Sequence, residues 1–132
     1  MNATPLRVLI VDDHADSARM LQTLLKHEGY ATRIASDGPT ALEAARISPP
    51  DVALLDLGLP GMGGNELAAE LRRISELRNC RIVAVTGYGK DALPSPSPFD
   101  RHFQKPVPPE ALLAYLAGIQ HEPTRSLAAA VA

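Results

Sequence analysis

The sequence predicts an α/β fold: a parallel sheet of five strands covered by helices on both faces. Three observations carry this. Short runs of aliphatic and β-branched residues alternate with longer stretches of helical period. The runs Leu6–Val11, Val52–Leu55 and Arg81–Thr86 are dense in apolar residues, as strands buried on both faces are. Glycine, proline and aspartate punctuate the joins between them.

Leu6–Val11 is the first strand, ending on Asp12-Asp13. From Ala15 to Glu28 the period changes. Ala18, Leu21, Leu24 and Leu25 fall on one helical face, opposite Arg19, Gln22 and Lys26, and Gly29 is a fitting stop. Ala31–Ala35 is a short, half-polar second strand. Asp37-Gly38-Pro39 caps the next helix, Pro39–Ile47, which Pro49-Pro50 forbids from continuing. Val52–Asp56 is the third strand. Asn65–Ser75 is a helix with Leu67, Leu71 and Ile74 on one side, and Arg81–Thr86 is the fourth strand. Between Tyr88 and Phe99, Pro94, Pro96 and Pro98 alternate with serines, so a helix there is expected to be short or lost. Arg101–Gln104 is a very short fifth strand. Pro109–Ile119 is the last helix, with proline in its first turn and Leu112, Leu113, Leu116 and Ile119 as its apolar face. Residues 121–132 are expected to be a disordered tail behind a single domain, 1–120. Strands joined through helices require right-handed crossovers, and the expected fold is a flavodoxin-like, doubly wound sheet of strand order 2-1-3-4-5.

Composition narrows the function. The chain has 132 residues, enough for one domain, and 45% of them are hydrophobic. A net charge of −2 offers no electrostatic footprint for nucleic acid and no polybasic membrane patch. The lone Cys80 excludes an intrachain disulfide and suits a reducing, cytoplasmic location. No run approaches the roughly 20 apolar residues of a membrane helix, and the N-terminus has no signal-peptide pattern.

The chemistry gathers around Val52–Asn65. The third strand ends on Asp56 and runs into a loop holding Gly58, Pro60, Gly61, Gly63 and Gly64, where backbone amides can approach a ligand. In an open α/β sheet, ligands bind beyond the carboxyl ends of the strands, at the switch point between strands one and three. Those ends carry Asp12-Asp13, Asp56, Thr86 and Lys105. Three carboxylates on one rim repel one another and need a shared proton or a cation. A hard divalent ion such as Mg²⁺ takes one or two carboxylates plus waters and phosphate oxygens. Lys105 can meet a phosphoryl oxygen as a point charge, Thr86 can donate a hydroxyl hydrogen bond, and Asp56 can act as a covalent nucleophile. Each residue alone has a plainer reading: a helix cap for Asp12 or Asp13, a β-branched strand residue for Thr86, a solvated charge for Lys105, an ordinary trans proline for Pro106. Those readings leave unexplained why four strand ends carry matching chemistry.

The landmarks VLIVDD (Val8–Asp13), LLDLGLPGMGG (Leu54–Gly64), AVTGYG (Ala84–Gly89) and QKPV (Gln104–Val107) resemble those of receiver domains of two-component response regulators, including receivers attached to hybrid histidine kinases. The resemblance runs from about Leu6 to Ile119. It implies Asp56 as phosphoacceptor, with Asp12, Asp13, Asp56 and the backbone carbonyl of Gly58 around Mg²⁺ (or Mn²⁺). It implies Thr86 as the switch hydroxyl, Lys105 as the phosphate-contacting lysine and a cis bond before Pro106. The phosphodonor would be a sensor histidine kinase or a histidine phosphotransfer protein, and the only catalysis would be self-phosphorylation and slow loss of the aspartyl phosphate. His102 falls at the family's switch aromatic position, where it can turn inward behind Thr86 or stay as a polar edge residue. Gly58 and Tyr88 occupy positions that tune dephosphorylation in the family.

The shortened Tyr88–Phe99 connection departs from the family and alters its usual output face. One expectation is that apolar sheet surface near Val83, Val85 and Phe103 is less well covered and meets an effector or a second copy. A stand-alone phosphoacceptor module is the leading reading, since about a dozen residues follow Ile119. Alternatives are a degenerate receiver acting only as a binding or dimerisation module, and an aspartyl-nucleophile phosphohydrolase. The latter needs a general acid two residues after Asp56, where Gly58 stands. A dinucleotide site is disfavoured because acids replace the glycine-rich first turn.

Overall fold

The computed structural model describes residues 5–59, 61–87 and 98–120. Five strands, β1 (Arg7–Val11), β2 (Ala31–Ala35), β3 (Val52–Asp56), β4 (Arg81–Thr86) and β5 (Arg101–Gln104), form one sheet of order β2-β1-β3-β4-β5. Every pairing is parallel. The described α-helices are α1 (Ala15–His27), α2 (Gly38–Ile47), α3 (Gly64–Arg72) and α4 (Pro109–Gln120). The expected shortened helix of the Tyr88–Phe99 connection falls mostly, and Tyr88 and the tail at 121–132 wholly, outside the described residues.

The pleat sorts the core into two layers. Leu9, Val11, Ala53, Leu55 and Ile82 face α2 and α3, against Ala41, Ala45, Leu67 and Leu71. Val8, Ile10, Val52, Leu54, Val83 and Val85 face α1 and α4, against Leu25, Leu112, Leu116 and Ile119. Successive strand residues point to opposite faces, so a strand buried on both sides must be apolar throughout. All five residues of the central β3 are buried.

Local chemistry sets the helix ends. Asp37 Oδ1 accepts a 2.8 Å bond from the Thr40 amide and caps α2. Gly29, at φ +92°, ends α1 in the left-handed conformation that glycine adopts without a Cβ penalty. The third helix differs from expectation: it stops at Arg72, and a 3₁₀ turn, Ser75–Leu77, follows. Ile74 is extended (φ −81°, ψ 116°), which lets the chain fold back and bury Leu77 beneath the sheet. Helical spacing alone continues through Ile74, but tertiary burial of Leu77 wins.

The expectation of an open apolar surface at Val83, Val85 and Phe103 is corrected. All three are buried, packed in one cluster with Leu112, Leu116 and Ile119 of α4. The Arg101 guanidinium also covers Phe103, 5.0 Å from its ring centroid, and Tyr115 meets the same ring edge-on at 6.0 Å. The long last helix supplies the cover that the short connection was expected to lack.

Cys80 is buried beside the 3₁₀ turn, and burial pushes its thiol up to about 12. Only the thiolate is nucleophilic. The native protein is therefore expected to resist a disulfide-exchange reagent at pH 8 and to react fully on unfolding. Fast native labelling would contradict the packing around Cys80.

Candidate functional site

Sheet register builds the site. Val11 of β1 is level with Leu55 of β3, so the next residues, Asp12 and Asp56, emerge side by side. Both continue rows that point to the α1/α4 face, Val8–Ile10 and Val52–Leu54. Asp56 is level with Val85 of β4, so Thr86 stands one residue beyond it. Thr86 is level with Gln104 of β5, and Lys105 follows at once, its amide donating to the Thr86 carbonyl at 2.7 Å. The Lys105–Pro106 bond is cis.

The side chains converge. Lys105 Nζ lies 3.3 Å from Asp56 Oδ2 and 3.6 Å from Asp12 Oδ2. The Gly58 amide donates to Asp56 Oδ1 at 3.0 Å. One carboxylate oxygen of Asp56 is thus held by the loop, while the other faces the lysine. Asp12, Asp56 and Thr86 are buried, whereas Asp13 is more exposed. Gly64, at the start of α3, lets the helix press against this strand end: a Cβ there would stand 2.8 Å from Leu57 Cα and 2.9 Å from the Asp56 carbonyl oxygen.

His14 is a member of the cluster that the sequence reading passed over. Asp12 Oδ1 accepts a 2.9 Å bond from the His14 amide, a local turn that folds the histidine back over the acids. Its Nδ1 lies 3.3 Å from Asp12 Oδ1, 3.3 Å from Asp13 Oδ1 and 4.0 Å from Asp56 Oδ2. One potential ligand atom from each of Asp12, Asp13, His14 and Asp56 lies within 4.8 Å of the others. The signal was present as three consecutive ligand-type residues, Asp12-Asp13-His14. His102 sits level with Ala84 on β5, half-buried, and its Nε2 is buried without a hydrogen-bond partner among the described residues.

A model of the response regulator receiver domain family matches residues 8–117. The chain belongs to that family. The receiver is 39% identical over 114 residues to the DNA-binding response regulator MtrA of Mycobacterium bovis, which covers 86% of this chain and 50% of the relative. It thus spans about half the length of that curated relative. Among solved structures, it is similar to a CheY-like response regulator receiver domain from Methylobacillus flagellatus, with TM-score 0.81 and 29% identity over 88% of this chain and 99% of that one. The receiver domain of a sensor histidine kinase from Pseudomonas aeruginosa PAO1, a structure with a magnesium ion coordinated in its active-site cleft, shares the fold. There the TM-score is 0.77 at 22% identity, covering 90% of this chain and all of that one. Among the described residues, no helix of this receiver is long and apolar enough to cross a membrane.

Proposed function

We propose that this receiver accepts a phosphoryl group on Asp56 from a histidine kinase or histidine phosphotransfer protein and thereby switches binding to a partner. The observation that carries this reading is the pairing of Asp56 Oδ2 with Lys105 Nζ in an otherwise acidic pocket. The donor set fits a hard divalent cation: three carboxylates meet within a few ångströms, and their mutual repulsion is relieved by an ion that takes oxygen ligands. Asp12, Asp13, Asp56 and the Gly58 carbonyl would hold Mg²⁺ or Mn²⁺, which supplies charge neutralisation on the incoming phosphoryl oxygens.

The chain's own groups do the rest. The loop amide of Gly58 fixes Oδ1, leaving Oδ2 as the attacking oxygen. An Asp56 O–P bond forms as the donor's P–N bond breaks, and the imidazole leaves with the electron pair and gains a proton. Lys105 receives a phosphoryl oxygen that shares its charge, and positioning plus neutralisation suffices for this chemistry. No carboxylic acid stands two residues past Asp56, so the reading is a signalling acceptor and not a turnover phosphohydrolase. A cytoplasmic location goes with a histidine-kinase donor and with one reduced, buried thiol.

The test is intact mass after incubation with acetyl phosphate. A single phosphoryl adduct is expected with Mg²⁺ and none with chelator; an adduct indifferent to the metal would sink the reading. Mg²⁺ alone is expected to raise the melting temperature, since an ion at about 100 times its Kd stabilises by about 2.7 kcal/mol.

Thr86 is the switch in this reading. Thr86→Ala is expected to leave adduct formation within about threefold of wild type while phosphorylation no longer changes partner affinity. The lysine and the cation would hold the phosphate without the hydroxyl, so acceptance is expected to survive. Equal partner affinities for phosphorylated wild type and Thr86→Ala would refute the assignment.

A further inference from the structure

We propose that His14 gives the acidic pocket a second cation class: a borderline transition ion, Zn²⁺ above all, bound through His14 Nδ1 together with Asp12, Asp13 and Asp56. The inference rests on the reading of this pocket as a cation site. Oxygen ligands alone suit Mg²⁺ and Mn²⁺, but an imidazole changes the chemistry, because nitrogen donors favour ions late in the first-row series.

The geometry points the same way. Metal–ligand bonds of about 2.0–2.1 Å put neighbouring ligands of a tetrahedral zinc about 3.3 Å apart. His14 Nδ1 stands 3.3 Å from Asp12 Oδ1 and 3.3 Å from Asp13 Oδ1. Asp56 Oδ2 lies 4.0 Å from Nδ1 and 3.3 Å from Lys105 Nζ, so an ion that takes it as the fourth ligand displaces the lysine. His14 already pairs through Nδ1 with Asp12 and Asp13, and an ion bound there would replace those contacts. It is 68% exposed and makes no side-chain cap to α1, although it stands at the N-cap position. Its backbone is already held by the Asp12 carboxylate, so the ring reaches the acids without reordering the loop.

Four protein ligands around a tetrahedral ion leave no open position for a phosphoryl oxygen. Zn²⁺ is therefore an antagonist of acceptance, whereas Mg²⁺, which keeps exchangeable waters, permits it. One pocket thus answers to two cations, and His14 sets the preference.

The experiment is calorimetric titration of the full chain with MgCl₂ and, separately, ZnCl₂, for wild type and His14→Ala. Wild type is expected to bind one Zn²⁺ at least a hundredfold more tightly than Mg²⁺. The ratio of the two affinities is expected to fall tenfold or more in His14→Ala. Co²⁺ is expected to give the intense visible absorption of a four-coordinate site in wild type and to lose it in the variant. Stoichiometric Zn²⁺ is expected to suppress the acetyl-phosphate adduct in wild type far more than in the variant. Mg²⁺ binding with an unchanged ratio and an unchanged Co²⁺ spectrum would overturn the His14 assignment alone. No Mg²⁺ binding to wild type would overturn the cation pocket itself, and the inference with it.

Discussion

Asp56→Asn is expected to abolish the phosphoryl adduct formed from acetyl phosphate in Mg²⁺, read as the loss of the shifted peak in the intact mass spectrum. The amide keeps the volume of the carboxylate and its carbonyl oxygen can still accept the Gly58 amide bond, so the loop after β3 keeps its anchor. The negative, nucleophilic oxygen facing Lys105 is lost. An amide oxygen is too weak a nucleophile to displace a leaving group from phosphorus at a useful rate. The fold is expected to survive, because the substitution also removes a charge from a pocket shared by Asp12 and Asp13. Circular dichroism and melting close to wild type, with no adduct, is the expected pair of results. An adduct that persists would place the phosphorylation elsewhere and remove the role assigned to this strand end.

Lys105→Met is expected to slow adduct formation by about tenfold to a hundredfold, the range that corresponds to losing a hydrogen bond between charged groups worth about 1.5–3 kcal/mol. Methionine replaces the lysine stem with an unbranched chain of similar length and leaves the half-buried aliphatic path filled. The ammonium that lies 3.3 Å from Asp56 and 3.6 Å from Asp12 is lost. Two effects then separate. The phosphoryl oxygen loses its protein-borne counter-charge, which slows transfer. The acids lose a resident cation that competes with the metal, so Mg²⁺ binds more tightly. Initial rates at saturating Mg²⁺, beside a calorimetric Mg²⁺ titration, resolve the two. A rate within twofold of wild type would make Lys105 a solvated charge.

Much of this was legible from residue order. β2, β3, β4 and β5 have the bounds that their apolar runs and punctuation indicate, and the sheet follows the 2-1-3-4-5 order. What was misread depended on partners distant in sequence. Ile74 continues the helical spacing of α3, yet the chain leaves the helix to bury Leu77. Val83, Val85 and Phe103 looked uncovered because the proline-rich connection is short. α4 and the Arg101 side chain cover them instead. His14 was passed over, since its part in the cluster arises from a turn around Asp12.

The sequence by itself determined which residues end which strands. Hydrophobic period and turn residues are local signals, and they placed Asp12, Asp13, Asp56, Thr86 and Lys105 on one rim. Only the tertiary structure decided their registration. Asp12 stands level with Asp56 because Val11 pairs with Leu55, and Lys105 reaches both because Gln104 pairs with Thr86. A one-residue slip in either pairing would turn a carboxylate to the opposite face of the sheet or draw the lysine back from it. Such pairings join residues more than forty positions apart in the case of β1 and β3, and their energy lies in the packing of whole faces against α1 to α4. No short window of sequence contains that information, which is why the chemical types could be read from the chain and the 3.3 Å contacts could not.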